Sequence, residues 1–277
     1  MTTEEIAVGN LVIKSNRETL LNFFQLVGTQ TEEAHIKVNG ENSISIVALD
    51  PSHVSMLKAE LNSDKLGWFT MTNTGYVHEF TVRTEEIIKL LKQFKKHESL
   101  TVTIDVNAHK IMISNDTTQS TINLIDSNYV HELPYIRFRT DAEFNIDVND
   151  FARAIDTIAK ISSSVTLKVG SGVEIENDGL PEGHYYARRP TSKITLEGKD
   201  YTNEIKITID SITDLVSEMP ILSEYKTEYL QKVLKILKQM TYESLNVKFG
   251  ENVPIVISTT KDYTSRVNAK FYLAPLV

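Results

Sequence analysis

Four times along the chain, apolar residues fall at i, i+3, i+4 and i+7, the stripe that an amphipathic helix turns toward a core. The stripes are Leu20/Phe23/Phe24/Val27, Ile87/Leu90/Leu91/Phe94, Phe151/Ala154/Ile155/Ile158 and Leu230/Val233/Leu234/Leu237. Their starts lie 67, 64 and 79 residues apart. After a short polar break, each stripe is followed by a run of period two: residues 99–104, 164–169 and 244–249, which look alike, and a looser 34–38. Recurrence at near-constant spacing constrains the fold more than composition does. It predicts four copies of one module, a helix followed by several alternating strands.

Further alternating runs occupy Ser43–Leu49, Lys110–Ser114, 121–125, 172–176, 193–196, 205–209 and 253–258. Alternation implies mostly antiparallel sheets with one face buried under helices, an α+β fold. Asn39-Gly40, Asp178-Gly179 and Phe249-Gly250 supply turn signals. Two modules per domain give two similar domains, 1–125 and 144–277, joined by a connector at 126–143 that contains Pro134 and has no sustained period. The polar segment 177–204 reads as an extended loop or hairpin.

The chain has 277 residues, with 29 Lys and Arg against 37 Asp and Glu, a formal charge of −8. Taken as a uniform charge, that balance opposes nucleic-acid binding; taken by position, it does not. With no cysteine, disulfides, thiolate nucleophiles, zinc ribbons and iron–sulfur clusters are excluded. The start, Met1-Thr2-Thr3-Glu4-Glu5, does not suit a presequence, and no apolar run approaches the roughly 18 residues of a membrane span. An intracellular protein, of nucleus or cytoplasm, is expected. Asn115-Asp116-Thr117 is the one glycosylation sequon, a common chance match.

Catalytic motifs are absent. Gly170-Ser-Gly172 lacks the third glycine of a dinucleotide fingerprint, and no phosphate-binding loop ends in Gly-Lys-Ser/Thr. The histidines at 35, 53, 78, 97, 109, 131 and 184 show no metal-ligand spacing. Ser52-His53 has no orienting acid or oxyanion hole identifiable beside it. A non-enzymatic protein without metal or cofactor is the expectation.

Positions i+2 and i+9 lie opposite a stripe that starts at i. Position i+2 holds Lys89, Arg153 and Lys232 in the second, third and fourth helices, and i+9 holds Lys96, Lys160 and Gln239. Lys92 and Lys235 occupy i+5, where the third helix has Asp156. The first helix has Asn22 and Gln25 instead, with Lys14 and Arg17 only near its start. Solvated faces commonly carry Lys; recurrence of a base at one register in a net-acidic chain implies segregation instead. Such a surface holds phosphates without reading bases.

Several islands resemble the DNA polymerase sliding clamps of the proliferating-cell-nuclear-antigen type, found in archaea, eukaryotes and some of their viruses. Residues 46–56, with Asp50-Pro-Ser-His-Val54, are similar to that family's Asp-x-Ser-x-Val segment. Leu124-Ile-Asp126 resembles the opening of its interdomain loop, and residues 144–153 the entry to its third helix. Asn252-Val-Pro-Ile-Val256 and Lys270-Phe-Tyr-Leu-Ala-Pro275 are the most specific matches. The resemblance implies a DNA clamp fold and three chains closing into a ring around duplex DNA. It implies a processivity factor and docking platform for replication and repair proteins, with a DNA polymerase, a clamp loader and proteins bearing clamp-interacting peptides as partners, and no membrane. The DNA-facing set would be Lys14, Arg17, Lys89, Lys92, Lys96, Arg153, Lys160, Lys232 and Lys235. The peptide pocket would use Leu49, His53, Val54, Met56, Leu133, Pro134, Pro254, Tyr272, Leu273, Ala274 and Pro275. The connector departs from the family in carrying His131, Arg137 and Arg139 in place of acids, and segment 177–204 is longer than expected. Two other readings are a checkpoint or transcription accessory subunit with the clamp fold, and an unrecognised α+β enzyme.

Overall fold

Each predicted stripe forms a helix because one face finds a sheet to cover. In this computed structural model, which describes residues 10–39, 43–63, 69–73, 77–126, 138–169, 193–217, 220–240, 242–260 and 267–276, four α-helices and eighteen strands are defined. The chain divides into two units, Met1–Tyr135 with Lys261–Lys270, and Ile136–Thr260 with Phe271–Val277. None of the four helices is long and apolar enough to cross a membrane.

The first unit runs β1 (Asn10–Asn16), α1 (Arg17–Val27), β2 (Glu33–Asn39), β3 (Ser43–Leu49), β4 (Ser55–Asn62), β5 (Phe69–Asn73), β6 (Glu79–Arg83), α2 (Thr84–Leu91), β7 (Ser99–Asp105), β8 (Lys110–Ser114) and β9 (Gln119–Asn123). Its strands form two sheets, β5-β1-β7-β8-β9 and β4-β3-β2-β6. The second unit runs β10 (Ala142–Asp147), α3 (Val148–Ile158), β11 (Ser164–Val169), β12 (Ile194–Lys199), β13 (Glu204–Ile209), β14 (Thr213–Ser217), β15 (Ile221–Lys226), α4 (Thr227–Gln239), β16 (Ser244–Phe249) and β17 (Ile255–Thr259). Its sheets are β14-β10-β16-β17 and β13-β12-β11-β15. A last strand, β18 (Val267–Leu273), contributes its final three residues to this unit.

Within each unit the modules exchange strands. The strand entering α1 pairs with the strand leaving α2 (β1 with β7), and the strand entering α2 pairs with the strand leaving α1 (β6 with β2). The second unit repeats the exchange as β10 with β16 and β15 with β11. The first amide of a helix has no acceptor within its own helix. Here each first amide donates across the exchange: Arg17 to the Glu98 carbonyl (2.8 Å), Thr84 to Glu32 (2.9 Å), Val148 to Glu243 (3.4 Å) and Thr227 to Ser163 (3.0 Å). The leading helices add side-chain caps. Asn16 Oδ1 accepts from the Thr19 amide at 2.8 Å, and Asp147 Oδ1 from the Asn149 and Asp150 amides at 2.8 and 2.9 Å. The second helices instead start with a threonine whose hydroxyl donates back: Thr84 to the Thr31 and Glu32 carbonyls, Thr227 to Ser162.

All four stripes are buried except Leu90, which is half-buried. Helix α1 packs on α2, and α3 on α4. Close packing is most severe at Gly198 of β12, where a Cβ would lie 2.4 Å from Ile158 Cγ2 and 3.1 Å from Ser162 Cβ.

Three expectations change. A strand precedes every helix as well as following it, so Phe144 belongs to β10 and α3 begins at Val148. Helix α2 ends at Leu91, because the Gln93 and Phe94 amides turn to the carbonyls of Leu90 and Leu91 three residues back. Lys96 and Lys160 therefore lie in turns after their helices and not at a helical i+9 position. Within segment 177–204 the alternating run at 193–196 forms β12, Ile194–Lys199, which pairs with β11 and with β13 as a hairpin; residues 170–192, including the run at 172–176, lie outside the described residues. The run at 121–125 is β9 shifted two residues earlier, with Ile125 bridged to Thr81 of β6.

Across β11, β12 and β13, Glu197 takes Lys168 and, at 3.6 Å, Lys206. The hydrogen bond from Lys168, with the charges of both lysines, holds the Glu197 carboxyl below the value of 4.5 expected for a free glutamate. This contribution to stability is present above pH 4.5 and is lost as pH falls through the folded-state value. Glu197→Gln should flatten the acid limb of a pH–stability curve; an unchanged limb would exclude the pair as its source. Gly198→Ala should lower the unfolding free energy by about 1–3 kcal/mol, measured as a shift in urea midpoint at constant slope.

Candidate nucleic-acid interface and peptide-binding surfaces

In the first unit the basic residues gather at the C-terminal end of α2, where a helix dipole favours cations. Over 84–97 there are four Lys against two Glu. Lys89 is exposed and tied to Glu85 one turn before it at 2.6 Å, a contact that holds the Glu85 carboxyl below its usual range. Lys96 and His97 converge on one acid, Glu18 of α1: Lys96 Nζ lies 3.4 Å from Oε1 and His97 Nδ1 2.7 Å from Oε2. His97 holds a left-handed φ of 67° that fixes the turn into β7. Lys92 is exposed and has no ion pair among the described residues. Lys14 is exposed on β1, whereas Arg17 is half-buried and its Nε donates to the Leu91 carbonyl at 3.0 Å. Arg17 thus closes the end of α2, and that nitrogen is engaged. Asn22 and Gln25 on α1 are half-buried and uncharged.

The second unit repeats the asymmetry. Helix α4 carries Lys232, Lys235 and Lys238, all exposed, against Glu228 alone. Lys232 Nζ sits 5.6 Å from the Tyr229 ring centroid, a cation–π contact. Helix α3 has two acids against one base, with Arg153 held by Asp150 at 2.7 Å and Asp156 accepting from Gln231 of α4 at 3.1 Å. Lys160, in the turn after α3, and Lys235 have no ion pair among the described residues. In each unit the positive surplus therefore lies at the second helix, on α4 itself and, for α2, at its end and in the turn after it, whereas α1 is neutral and α3 has two acids against one base. An open cleft of about 240 Å³ beside α3 is lined by Asp150, Arg153, Thr157, Ile207, Asp210 and Ser211. Its acids outnumber its one base. Among the described residues no cluster of three or more His, Asp or Glu could hold a metal.

The peptide-pocket residues of the first unit rest on a buried carboxylate. Asp50 Oδ1 accepts the amides of Val54 and Ser55 at 2.7 and 2.5 Å, and Oδ2 that of Ser52 at 3.0 Å. Ser55 Oγ donates to Gln30 Oε1 at 2.6 Å, so the turn is locked to the connection after α1. This cage leaves His53 exposed at φ 59° and Val54 and Leu49 half-buried. Met56, paired with Leu49 in the ladder and so on the same face of the sheet, is buried beside it.

In the second unit Pro254, Tyr272, Ala274 and Pro275 are half-buried, while Leu273, like Met56, is buried. For Leu273 the burial follows from strand alternation, which sends every second side chain of β18 inward, whereas Met56 lies in a run of three buried residues at the start of β4. Tyr272 packs edge-on against Phe138, with centroids 6.4 Å apart, and burial raises its hydroxyl pKa. Phe138, in contact with Tyr272, is absent from the expected set; the aromatic run Tyr135-Ile-Arg-Phe138 was its signal in the sequence. Leu133, Pro134, His131 and Arg137 lie outside the described residues.

Comparison with known proteins supplies the rest. No protein-family model matches the chain. The chain is 23% identical over 268 residues to the DNA polymerase sliding clamp of Thermoplasma acidophilum, covering 96% of this chain and 97% of that one. It is 24% identical over 252 residues to the protein of the same name from Thermoplasma volcanium, covering 90% and 92%. Among solved structures, the proliferating cellular nuclear antigen of Entamoeba histolytica matches with a TM-score of 0.78 at 12% identity, covering 98% of this chain and 100% of that one. The A. fulgidus protein of that type, bound to the C-terminal region of FEN-1, matches with a TM-score of 0.75 at 16% identity, covering 96% and 98%. Paired over nearly its whole length with proteins of one name, and sharing their four-module fold, the chain is a relative of the archaeal DNA polymerase sliding clamps, of the proliferating-cell-nuclear-antigen type.

Proposed function

We propose that the protein is a non-catalytic sliding clamp that encircles duplex DNA, tethers a DNA polymerase to it and docks replication and repair proteins. The observation that carries this reading is the coincidence of the clamp fold with bases gathered on or just after the second helix of each unit, four Lys against two Glu over 84–97 and three against one on α4, in a chain whose net charge is −8. A ring held by topology needs only weak, sequence-blind phosphate contacts, because tight base readout would stall sliding. The proposed DNA-facing residues are Lys14, Lys89, Lys92, Lys96, Arg153, Lys160, Lys232 and Lys235, with Arg17 assigned to holding α2. Among the described residues Lys14, Lys92, Lys160, Lys232 and Lys235 have no carboxylate partner and can meet phosphate directly; Lys89, Lys96 and Arg153 must first leave Glu85, Glu18 and Asp150. Clamp-interacting peptides are assigned to Leu49, His53 and Val54 of the first unit and to Phe138, Pro254, Tyr272, Ala274 and Pro275 of the second. A clamp loader is required to open such a ring.

Ring closure needs two different edges that complement each other, since a head-to-tail contact closes only by repetition. The first unit leaves β9 as an outermost strand and the second leaves β13. Both carry half-buried isoleucines, Ile122 on β9 and Ile205 and Ile207 on β13, and unpaired edges of this kind invite another chain. By contrast, the outer side of β15 is occupied by the C-terminal tail, whose Leu276 amide donates to the Glu224 carbonyl at 2.8 Å. We assign the joints of a homotrimer to β9 and β13.

Light scattering should give the mass of three chains. Ile122→Glu or Ile207→Glu should reduce it to one chain with the circular-dichroism spectrum preserved; a persistent trimer in both variants would refute the joint. The combined Lys92→Glu, Lys160→Glu and Lys235→Glu variant should lose stimulation of primer extension on primed circular DNA while remaining folded and trimeric. Full-length products at the wild-type rate would overturn the DNA assignment.

A further inference from the structure

Two prolines form part of the peptide surface assigned above to the second unit, and both present the same mechanical difficulty. Proline has no N–H, so neither Pro254 nor Pro275 can tie itself to a neighbouring strand through its own amide. Each is held by a neighbour instead, and the two holds come from adjacent residues of β15. Tyr225 donates its hydroxyl to the Val253 carbonyl at 3.0 Å, the acceptor of the Val253–Pro254 peptide group itself. The carbonyl of Glu224 accepts from the Leu276 amide at 2.8 Å, fixing the residue that follows Pro275.

The approach to Pro254 needs such a hold. Asn252 takes a left-handed φ of 56°, so the chain reverses immediately before Val253 and Pro254. Gly250 begins the same turn in a close fit, where a Cβ would come within 2.5 Å of Asp141 Oδ2 and 2.9 Å of Val253 Cγ2. The Tyr225 ring is fully buried, and burial pushes its hydroxyl pKa up to about 12, so it stays a neutral donor at any physiological pH. Glu224 is anchored on its other side, its carboxylate accepting from Ser164 Oγ of β11. Strand β15 is therefore pinned to the sheet on one side and pins both proline walls on the other.

We infer that Tyr225 is a positioning residue for the peptide surface: through the Val253 carbonyl it fixes Pro254, as Glu224 fixes Pro275 through Leu276, and it touches no peptide itself. This rests on the peptide-docking reading above. A neighbour that only filled core space would be replaced by phenylalanine without effect on binding, because Tyr225→Phe removes one oxygen and leaves the ring.

The test uses the full chain and a synthetic peptide of the FEN-1 C-terminal region, the segment bound by the A. fulgidus relative. Affinity is measured by calorimetry well below the unfolding temperature, and amide hydrogen exchange is measured on the free protein. Tyr225→Phe should weaken binding about fivefold, the effect of one neutral hydrogen bond. It should raise exchange in the segment 251–257 while that of β11 and β12 stays at the wild-type level. Leu276→Pro removes the second tether at an exposed position and should weaken binding by a similar factor without altering exchange in 251–257. Wild-type affinity and wild-type exchange in Tyr225→Phe would overturn the inference while leaving peptide docking intact. Faster exchange spread evenly over the unit would assign Tyr225 to general stability and would also overturn it. Failure of the wild-type chain to bind the peptide would remove the docking reading and the inference together.

Discussion

The exchange of strands between the two modules of a unit is the constraint on which the rest of the structure depends. A single module would leave the first amide of its helix without an acceptor and one edge of each flanking strand unpaired, costs of order 1–3 kcal/mol for each buried polar group. Crossing the strands satisfies both at once. The carbonyls of Glu98, Glu32, Glu243 and Ser163 receive the four first amides, one residue before the partner strand begins. The two modules of a unit are thereby inseparable, and the unit rather than the module is the stable object.

Holding the helices by their ends has a consequence for charge. Because the caps and the buried stripe fix each helix, its remaining face is free to carry whatever residues the surface requires. In each unit that freedom is used at the second helix, where lysines accumulate on it or in the turn after it, whereas α1 is neutral and α3 has two acids against one base. Several of the bases are tempered by nearby carboxylates, Lys89 by Glu85, Arg153 by Asp150 and Lys96 by Glu18. Exposed pairs of this kind are worth little and exchange readily, so they moderate phosphate contact without preventing it. Weak and replaceable contacts suit a protein that must move along its ligand.

The peptide surfaces obey a different rule, since a docking site needs fixed walls. In the first unit a buried aspartate collects three backbone amides and sets the turn that exposes His53. In the second unit the prolines of the proposed wall lack donors of their own, and residues of β15 hold their neighbours Val253 and Leu276 instead. Rigidity comes in each case from a buried polar group placed one step behind the exposed residue.

The sequence alone determined the helices, the number of modules and the alternating strands that follow them, because burial of one face imposes a period on residues near each other in the chain. It also revealed the segregation of positive charge, which a net value conceals. It did not reveal the entering strands, nor β4: β4 and the entering strand β6 bury consecutive residues (Ser55-Met56-Leu57 and Phe80-Thr81-Val82), which blurs their period. The alternating β10 was hidden because Phe144 and Ile146 lead directly into a helix. Roles that join distant residues were decided only in three dimensions. Arg17 meets the Leu91 carbonyl 74 positions away, Tyr225 meets that of Val253 28 positions away, and Met56 and Leu273 are buried where the motif suggested contact. Periodicity is a local consequence of burial and can be read along the chain; a hydrogen bond between distant segments depends on how the chain returns to itself, and no local pattern encodes that.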